Sequence, residues 1–343
     1  MTRRRTHPHL VDINVEIEKL MKTVSTAPLA GYNLAYSPFH KSRLAVACAA
    51  NYGLVGNGRL REYSYDLHGD LSPHSSFDTQ DGLFDLAWSE LHENQIVTAT
   101  GDGSVRLFDT QIPKFPIRAW HEHSREVFGV DWSPTDKTQF ATASWDGTVK
   151  IWTPDNTHSL LTLPAHDGCV YSAIYSPHQP YCLATCGSDG KLHVWDLRTP
   201  QRPATSLAAS PTELLSLDWN KYIKGTLATG SVDKSIKVWD IRQAKCLNNL
   251  HGHDFAIRRV QFSPHVPNLI ASASYDMSAR VWDTSVNACI HIHDAHTEFV
   301  TGVAWSLFDP LVLTTCGWDY KVHLLSLKDL NRPNNMRNIS NKR

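Results

Sequence analysis

Three runs within residues 252–283 decide the fold: Gly252-His253-Asp-Phe-Ala-Ile-Arg-Arg-Val-Gln-Phe-Ser-Pro264, Leu269-Ile-Ala-Ser-Ala-Ser274 and Asp276-Met-Ser-Ala-Arg-Val-Trp-Asp283. The first ends on an aromatic and a Ser-Pro turn, the second is short and apolar, and the third alternates after a turn acid. Short segments rich in Val, Ile and aromatics, punctuated by turn residues, read as β-strands. The same unit recurs on both sides. A turn acid stands at Asp102, Asp146, Asp189, Asp233, Asp276 and Asp319, at intervals of 43 or 44 residues. The aromatic closing the first run stands at Trp88, Trp132, Tyr175, Trp219, Phe262 and Trp305, at the same intervals. Two landmarks in register over six units exclude coincidence. A seventh unit lies upstream, with Tyr36 as its aromatic and Asn57-Gly58 at its turn. Its longer step, 52 residues from Tyr36 to Trp88, is absorbed by a polar insert around His68 to Ser76.

Four-stranded units repeating every 40–45 residues or so stack radially, and closing the ring protects their strand edges. The prediction is all-β: a seven-bladed β-propeller over residues 28–327, preceded by an extension over 1–27 and followed by a disordered tail over 328–343. In the extension, Val11, Ile13, Val15 and Ile17 alternate with Asp12, Asn14, Glu16 and Glu18 as in a strand. Ile13, Ile17, Leu20, Met21 and Val24 fit a helical stripe equally well, so the period stays ambiguous. By register, Leu20 to Val24 supply the outer strand of the last unit, since nothing suitable follows Leu327.

Lys and Arg number 33 against 34 Asp and Glu, a net charge of −1, with 41% hydrophobic and 20% charged residues. This balance suits a soluble globular protein and opposes one that coats nucleic acid or an anionic membrane. The longest apolar run, Leu44 to Ala50, is seven residues, whereas a membrane span needs about 20. Arg3, Arg4 and Arg5 are not followed by the apolar core of a secretory signal. Seven cysteines, an odd number, form no disulfide framework and imply a reducing compartment.

Candidate chemistry is sparse. Cys182 and Cys186 share a strand face but lack a second ligand pair, and Gly56-Asn57-Gly58 is a turn rather than a phosphate loop. Of 19 histidines, His123, His166, His253 and His296 fall on the repeat grid. His/Ser/Asp sets recur in several units, whereas a nucleophilic enzyme needs one site. No enzymatic activity, cofactor or metal is therefore expected.

The endings Phe108-Asp109, Trp195-Asp196, Trp239-Asp240 and Trp282-Asp283, with Gly252-His253 upstream, resemble the WD-repeat family; Trp152-Thr153 and Leu325-Ser326 depart from it. The resemblance implies buried hydrogen-bonded networks of His123, Ser144, Asp146 and Trp152, and of His253, Ser274, Asp276 and Trp282. His166 and His296 have Asp189 and Asp319 but meet Gly187 and Gly317 where Ser is expected, which makes those two networks incomplete. In that family three positions per blade face the top entrance. Here they include Glu126, Glu213, Phe299, Phe84, Phe128, Tyr171, Arg258, Trp145, Tyr275 and Trp318, with Asp81 adjacent. Exposed aromatics of this kind mark binding hot spots, although Phe84 and Phe128 can equally pack between blades.

A closer resemblance is carried by Asp81-Gly-Leu-Phe-Asp-Leu-Ala-Trp-Ser-Glu90, Glu122-His-Ser-Arg-Glu-Val-Phe-Gly-Val-Asp-Trp-Ser133 and Phe255-Ala-Ile-Arg-Arg-Val-Gln-Phe-Ser-Pro264. These are similar to the peroxin 7 family, the cytosolic receptors for the type 2 peroxisomal targeting signal. The resemblance implies cargo enzymes carrying that signal, a co-receptor, docking machinery at the peroxisomal membrane, and cycling between cytoplasm and peroxisome. No nucleic acid and no direct membrane insertion are implied. The signal has Arg or Lys then an aliphatic residue, five variable positions, then His or Gln and another aliphatic. Asp81 and Glu126 carry over as partners of its basic groups; Glu213 is added from the grid, and the aromatics and Arg258 complete the expected surface. The alternative is a WD-repeat scaffold or substrate adaptor of another complex.

Overall fold

The computed structural model describes residues 21–112 and 114–328. Seven antiparallel sheets of four strands each follow the sequence repeat. Blades 1 to 6 span residues 30–79, 83–121, 127–164, 170–208, 214–250 and 257–293. Blade 7 takes three strands from residues 300–326 and its outer strand from Met21–Ser25. That strand runs antiparallel to Lys321–Ser326, with Met21 opposite Leu325 and Ser25 opposite Lys321. The propeller thus takes in residues 21–25, ahead of residue 28, because its last sheet borrows them as its outer strand. Of the two periods read in the extension, residues 21–25 follow the strand. Leu20, the alternating stretch from Val11 and the expected tail from residue 329 lie outside the described residues.

The polar stretch expected as an insert is ordered differently. Gly58–Tyr65 and Leu71–Thr79 are long strands, so most of the extra length extends the outer hairpin of blade 1. Among the described residues, no helix is long and apolar enough to cross a membrane.

The core lies between blades. Val238 and Leu250 of blade 5 pack with Ile257, Val260, Phe262 and Trp282 of blade 6, and the pattern repeats around the ring. Each such buried side chain contributes roughly 1.5–3 kcal/mol. The aromatics that set the sequence register, from Tyr36 to Trp305, are all buried there. Side chains on the inner strands also bolt neighbouring blades together. Asp85 accepts from the Val130 N–H at 3.1 Å, Asp131 from the Tyr175 N–H at 2.8 Å, Asp218 from the Phe262 N–H at 2.8 Å, and Gln261 Oε1 from the Trp305 N–H at 2.9 Å.

One irregularity is itself periodic. Every inner strand carries a β-bulge after its first paired residues, between Gly31/Asn33, Leu83/Asp85, Val127/Gly129, Val170/Ser172, Leu214/Ser216, Ile257/Arg259 and Val300/Gly302. The extra residue is Tyr32, Phe84, Phe128, Tyr171, Leu215, Arg258 or Thr301. A bulge re-aims the unpaired side chain out of the ladder. Here the re-aimed residues gather at the propeller axis.

Candidate functional site

The recurring His/Asp sets are placed first, because they hold the turns that frame the site. His123 Nδ1 lies 2.9 Å from Asp146 and Nε2 lies 2.8 Å from the Thr142 hydroxyl, which also accepts from Trp152 Nε1 at 2.8 Å. His253 repeats this with Asp276 and Ser272, both at 2.7 Å, and Trp282 donates to Ser272 at 2.8 Å. Ser144 and Ser274, expected in these networks, are not the relay. Their hydroxyls donate to the carbonyls of Glu126 and Ala256, and accept from the N–H of Asp146 and Asp276. The reason is strand alternation: residues two apart share a face, and the deeper hydroxyl reaches both His and Trp.

The relay at His166 is also complete, through Thr185 at 2.9 Å and Trp195 at 3.1 Å, because Gly187 occupies the wrong position to matter. His296 likewise reaches Thr315 at 2.9 Å and Asp319 at 3.0 Å; what that blade lacks is the Trp, replaced by Leu325. Burial pushes the Asp146 and Asp276 carboxyls up, yet the bonds from His123 or His253 and from Thr148 or Ser278 outweigh it and hold both below the usual carboxylate range. Ser272, His253 and Asp276 do have the spacing of a Ser–His–Asp set, but Ser272 is fully buried and its oxygen also accepts from the Trp282 indole, as Thr142 does from Trp152, which fits a structural relay.

Two further clusters carry metal-ligating side chains: His293, His296 and His323, and His166, Asp189 and His193. His296 spends both nitrogens on Asp319 and Thr315, and its ring stacks on His323 at 4.1 Å with a 20° tilt. Lone pairs in stacked rings run parallel and do not converge on one ion. Burial lowers the pKa of His293 to about 3 and of His323 to about 4, so both are neutral. His166 spends both nitrogens in the same way. Cys182 and Cys186 lie four residues apart on one strand, about 13 Å at about 3.3 Å per residue, too far to share an ion.

The top face is different in kind. Its aromatics form a nearly continuous arc: Tyr275 to Phe299 at 4.9 Å between ring centres, Phe299 to Trp318 at 5.2 Å, Trp318 to Tyr32 at 5.9 Å, and Tyr32 to Phe84 at 5.1 Å. It continues from Phe84 to Phe128 at 5.3 Å, and from there to Trp145 at 5.1 Å and Tyr171 at 5.7 Å. Six blades contribute. Blade 5 interrupts the arc with Leu215, Glu213 and the exposed Val232.

The shape is a bowl. Tyr32, Phe84, Phe128 and Arg258 are buried and form its floor: Phe84 and Phe128 take the packed alternative, and Arg258 lies below the exposed surface it was expected to complete. The bulges aim them inward, and the Arg258 guanidinium sits 4.5 Å above the Phe128 ring across the axis. Trp145, Tyr171, Tyr275, Phe299 and Trp318 are half-buried and form the wall.

The acids stand at the rim, each partly engaged. Glu213 accepts from the Tyr171 hydroxyl at 2.6 Å, and Asp81 accepts from the Gly82 N–H at 2.7 Å. Glu126 faces Arg125 at 3.6 Å, a cation that also covers Trp145 at 5.8 Å. Among the described residues Glu213 and Asp81 each keep one carboxylate oxygen without a hydrogen bond, and Glu126 keeps both.

Sequence reasoning missed Arg125, Tyr52 and Tyr320 at this face. Tyr52 packs on Trp318 at 5.1 Å and stacks on Tyr320 at 6.5 Å. It sits in a short turn, Ala50–Gly53, whose Asn51 and Tyr52 have positive φ of 46° and 55°. The aromatic just after the Asp319 turn was the available signal for Tyr320; none announced Tyr52.

The repeat and the face both have counterparts in known proteins. The sequence pattern described as "WD domain, G-beta repeat" matches residues 114–153, 157–196, 201–240, 244–283 and 287–325. Blade 1 and the three inner strands of blade 2 fall outside that pattern, yet both blades form the same four-stranded sheets. The chain is 36% identical over 285 residues to a protein of Saccharomyces cerevisiae named "Peroxisomal targeting signal 2 receptor", covering 69% of this chain and 76% of that one. A Komagataella phaffii protein of the same name is 39% identical over 289 residues, covering 71% and 77%. "Peroxisome biogenesis protein 7" of Arabidopsis thaliana is 45% identical over 111 residues, covering 31% and 35%. Seven closed blades and likeness at this level over two thirds of the chain agree: the chain belongs to the peroxisomal targeting signal 2 receptors, a family of WD-repeat propellers.

Proposed function

We propose that this chain is an import receptor that binds the helical type 2 targeting signal of cargo enzymes in the top-face bowl. With a co-receptor covering the peptide, it delivers them to the peroxisomal matrix, cycling between the cytoplasm and the docking machinery of the peroxisomal membrane. The observation that carries the reading is the pairing of an apolar aromatic bowl with acids at its rim. On a helix the signal's first and eighth positions lie about 10 Å apart on one face, with the second and ninth forming an adjoining apolar stripe. Asp81, Glu126 and Glu213 then meet the basic groups, while Trp145, Tyr171, Tyr275, Phe299 and Trp318 take the apolar stripe and Phe128 supports it from below. Charge-assisted hydrogen bonds and aromatic anchors are what such an interface needs.

The test is an anisotropy titration of a labelled type 2 signal peptide into the full chain, with a co-receptor fragment present and a control peptide lacking the basic and His positions. Selective, saturable binding is expected. Equal binding of both peptides, with the co-receptor active, would favour a scaffold or adaptor that binds folded partners.

A further inference from the structure

The propeller carries a second concave surface, at the end of the strands opposite the bowl. The bowl is framed by the connections that lead into each blade and by the turns before each third strand. Blades 4 and 5 present their other connections, residues 176–181, 197–204, 220–225 and 241–244, around a groove between them. The groove encloses about 270 Å³. Val194, Trp195, Trp219 and Ile241 are buried and wall it with apolar surface, and Pro180 adds to the lining. Tyr181, also in the lining, is exposed, as are Tyr222 and Ile223 in the loop that ends on the lining residue Gly225. Sites that engulf a small molecule run to about 300–1,000 Å³, so this groove is sized for a side chain rather than a whole ligand.

The charge around it is one-sided. The four connections hold Arg198, Arg202, Lys221, Lys224 and Arg242, and no Asp or Glu. Three of these cations are tied to acids at neighbouring strand ends: Arg198 to Asp196 at 2.6 Å, Lys221 to Asp218 at 2.6 Å and Arg242 to Asp240 at 3.2 Å. Arg202 and Lys224 stand exposed and have no ion pair among the described residues. Arg202 is two residues from Ala204 of the lining, and Lys224 adjoins Gly225. The rim of the bowl, by contrast, is acidic. Exposed apolar groups around a pocket mark a binding surface, and free cations beside them select a partner of opposite charge. An anionic membrane fits less well. Lipid-binding clusters bring about four to eight Lys or Arg, whereas two are free here, and a bilayer has no side chain to fill a pocket between two blades.

We propose that the groove between blades 4 and 5 is a docking site for an acidic segment of a partner protein. The segment inserts one aliphatic or aromatic side chain into the groove and sets its Asp or Glu side chains against Arg202 and Lys224. Tyr181, Tyr222 and Ile223 supply the apolar shoulder that the partner covers. Groove and bowl lie at opposite ends of the strands, so both can be occupied at once. A chain with its bowl filled therefore still presents this surface.

The full chain would be panned against a phage-displayed random peptide library, and the selected peptides titrated into wild type and two variants. Ala204→Trp fills the groove from an exposed position, and the double variant Arg202→Glu, Lys224→Glu reverses its free charge; melting temperatures check that both fold. Peptides that join an apolar residue to Asp or Glu should be selected. Their affinity should fall about tenfold in each variant and decline with added salt, and the type 2 signal peptide should not displace them. Selection of no acidic peptide, or acidic peptides that bind both folded variants as they bind wild type, overturns the docking site. Displacement by the signal peptide would move them to the bowl and overturn it too. Binding of wild type to phosphatidylserine-containing vesicles, lost on charge reversal while no acidic peptide is selected, would make the groove a lipid surface instead. The receptor reading stands or falls separately, on the signal-peptide titration, which both variants should pass unchanged.

Discussion

Replacing Thr142 by Val removes one oxygen from the core of blade 3 and changes little else. That oxygen lies 2.8 Å from both His123 Nε2 and Trp152 Nε1, and all three side chains are buried. With Asp146 ionised, His123 donates from Nδ1, so its Nε2 accepts from the Thr142 hydroxyl while Trp152 donates to it. Val at this position leaves a buried acceptor and a buried indole N–H without partners. Each such loss costs about 1–3 kcal/mol, so Thr142→Val should destabilise by about 2–4 kcal/mol. Ser144→Ala loses contacts to the Asp146 N–H and to the Glu126 carbonyl, which keeps the Trp145 N–H at 3.0 Å, so the cost is about 1 kcal/mol. Urea titration followed by tryptophan fluorescence reads both as shifts in midpoint. Ser272→Ala should repeat the Thr142 effect in blade 6, where Ser272 bridges His253 and Trp282. If Ser144→Ala cost as much as Thr142→Val, the relay would run through the hydroxyl nearer the turn, and the assignment would be wrong.

Charge reversal at the rim, Glu126→Lys, should weaken signal-peptide binding by about 2–5 kcal/mol while the melting temperature holds; normal binding by a folded variant would displace the site from this rim. Burial raises the Asp131 carboxyl to about 7 from an ordinary 3.8, against the bond it accepts from Tyr175. The folded state then binds that proton more tightly than the unfolded state, so stability is lost as pH rises between those values. Asp131→Asn keeps the acceptor and should raise the melting temperature at pH 8 but hardly at pH 4; equal shifts at both would contradict the assignment. Deleting residues up to Ser25 strips the partner from Lys321–Ser326 and leaves an open strand edge, so limited proteolysis should cut blade 7 first. An unchanged cleavage pattern and melt would show that the ring does not depend on that strand.

Periodicity made the fold legible, because turn acids such as Asp146 and buried aromatics such as Trp132 recur wherever the same sheet geometry does. It carried less information about depth. Residues 142 and 144 share a strand face, and alternation alone does not say which hydroxyl reaches the histidine. The same limit hid the floor of the bowl. The grid placed Phe128 and Arg258 at the top face, but their burial follows from packing across the axis between blades far apart in sequence. Tyr52 was illegible for a different reason: blade 1 departs from the repeat, and its turn holds three successive left-handed residues, Asn51 to Gly53, where the other units hold one after the turn acid, such as Lys234, Met277 or Tyr320.

Ring closure also sets a clock. Met21 pairs with Leu325, so the strand made first waits for the strand made last. At about 5–20 residues per second, the roughly 300 residues between them take some 15–60 s to synthesise. Throughout that interval the nascent chain holds an unpaired strand at its start and an unfinished sheet at its end. A chain built this way cannot close its ring until its last blade is made, and its period of greatest need for chaperones is written into its topology.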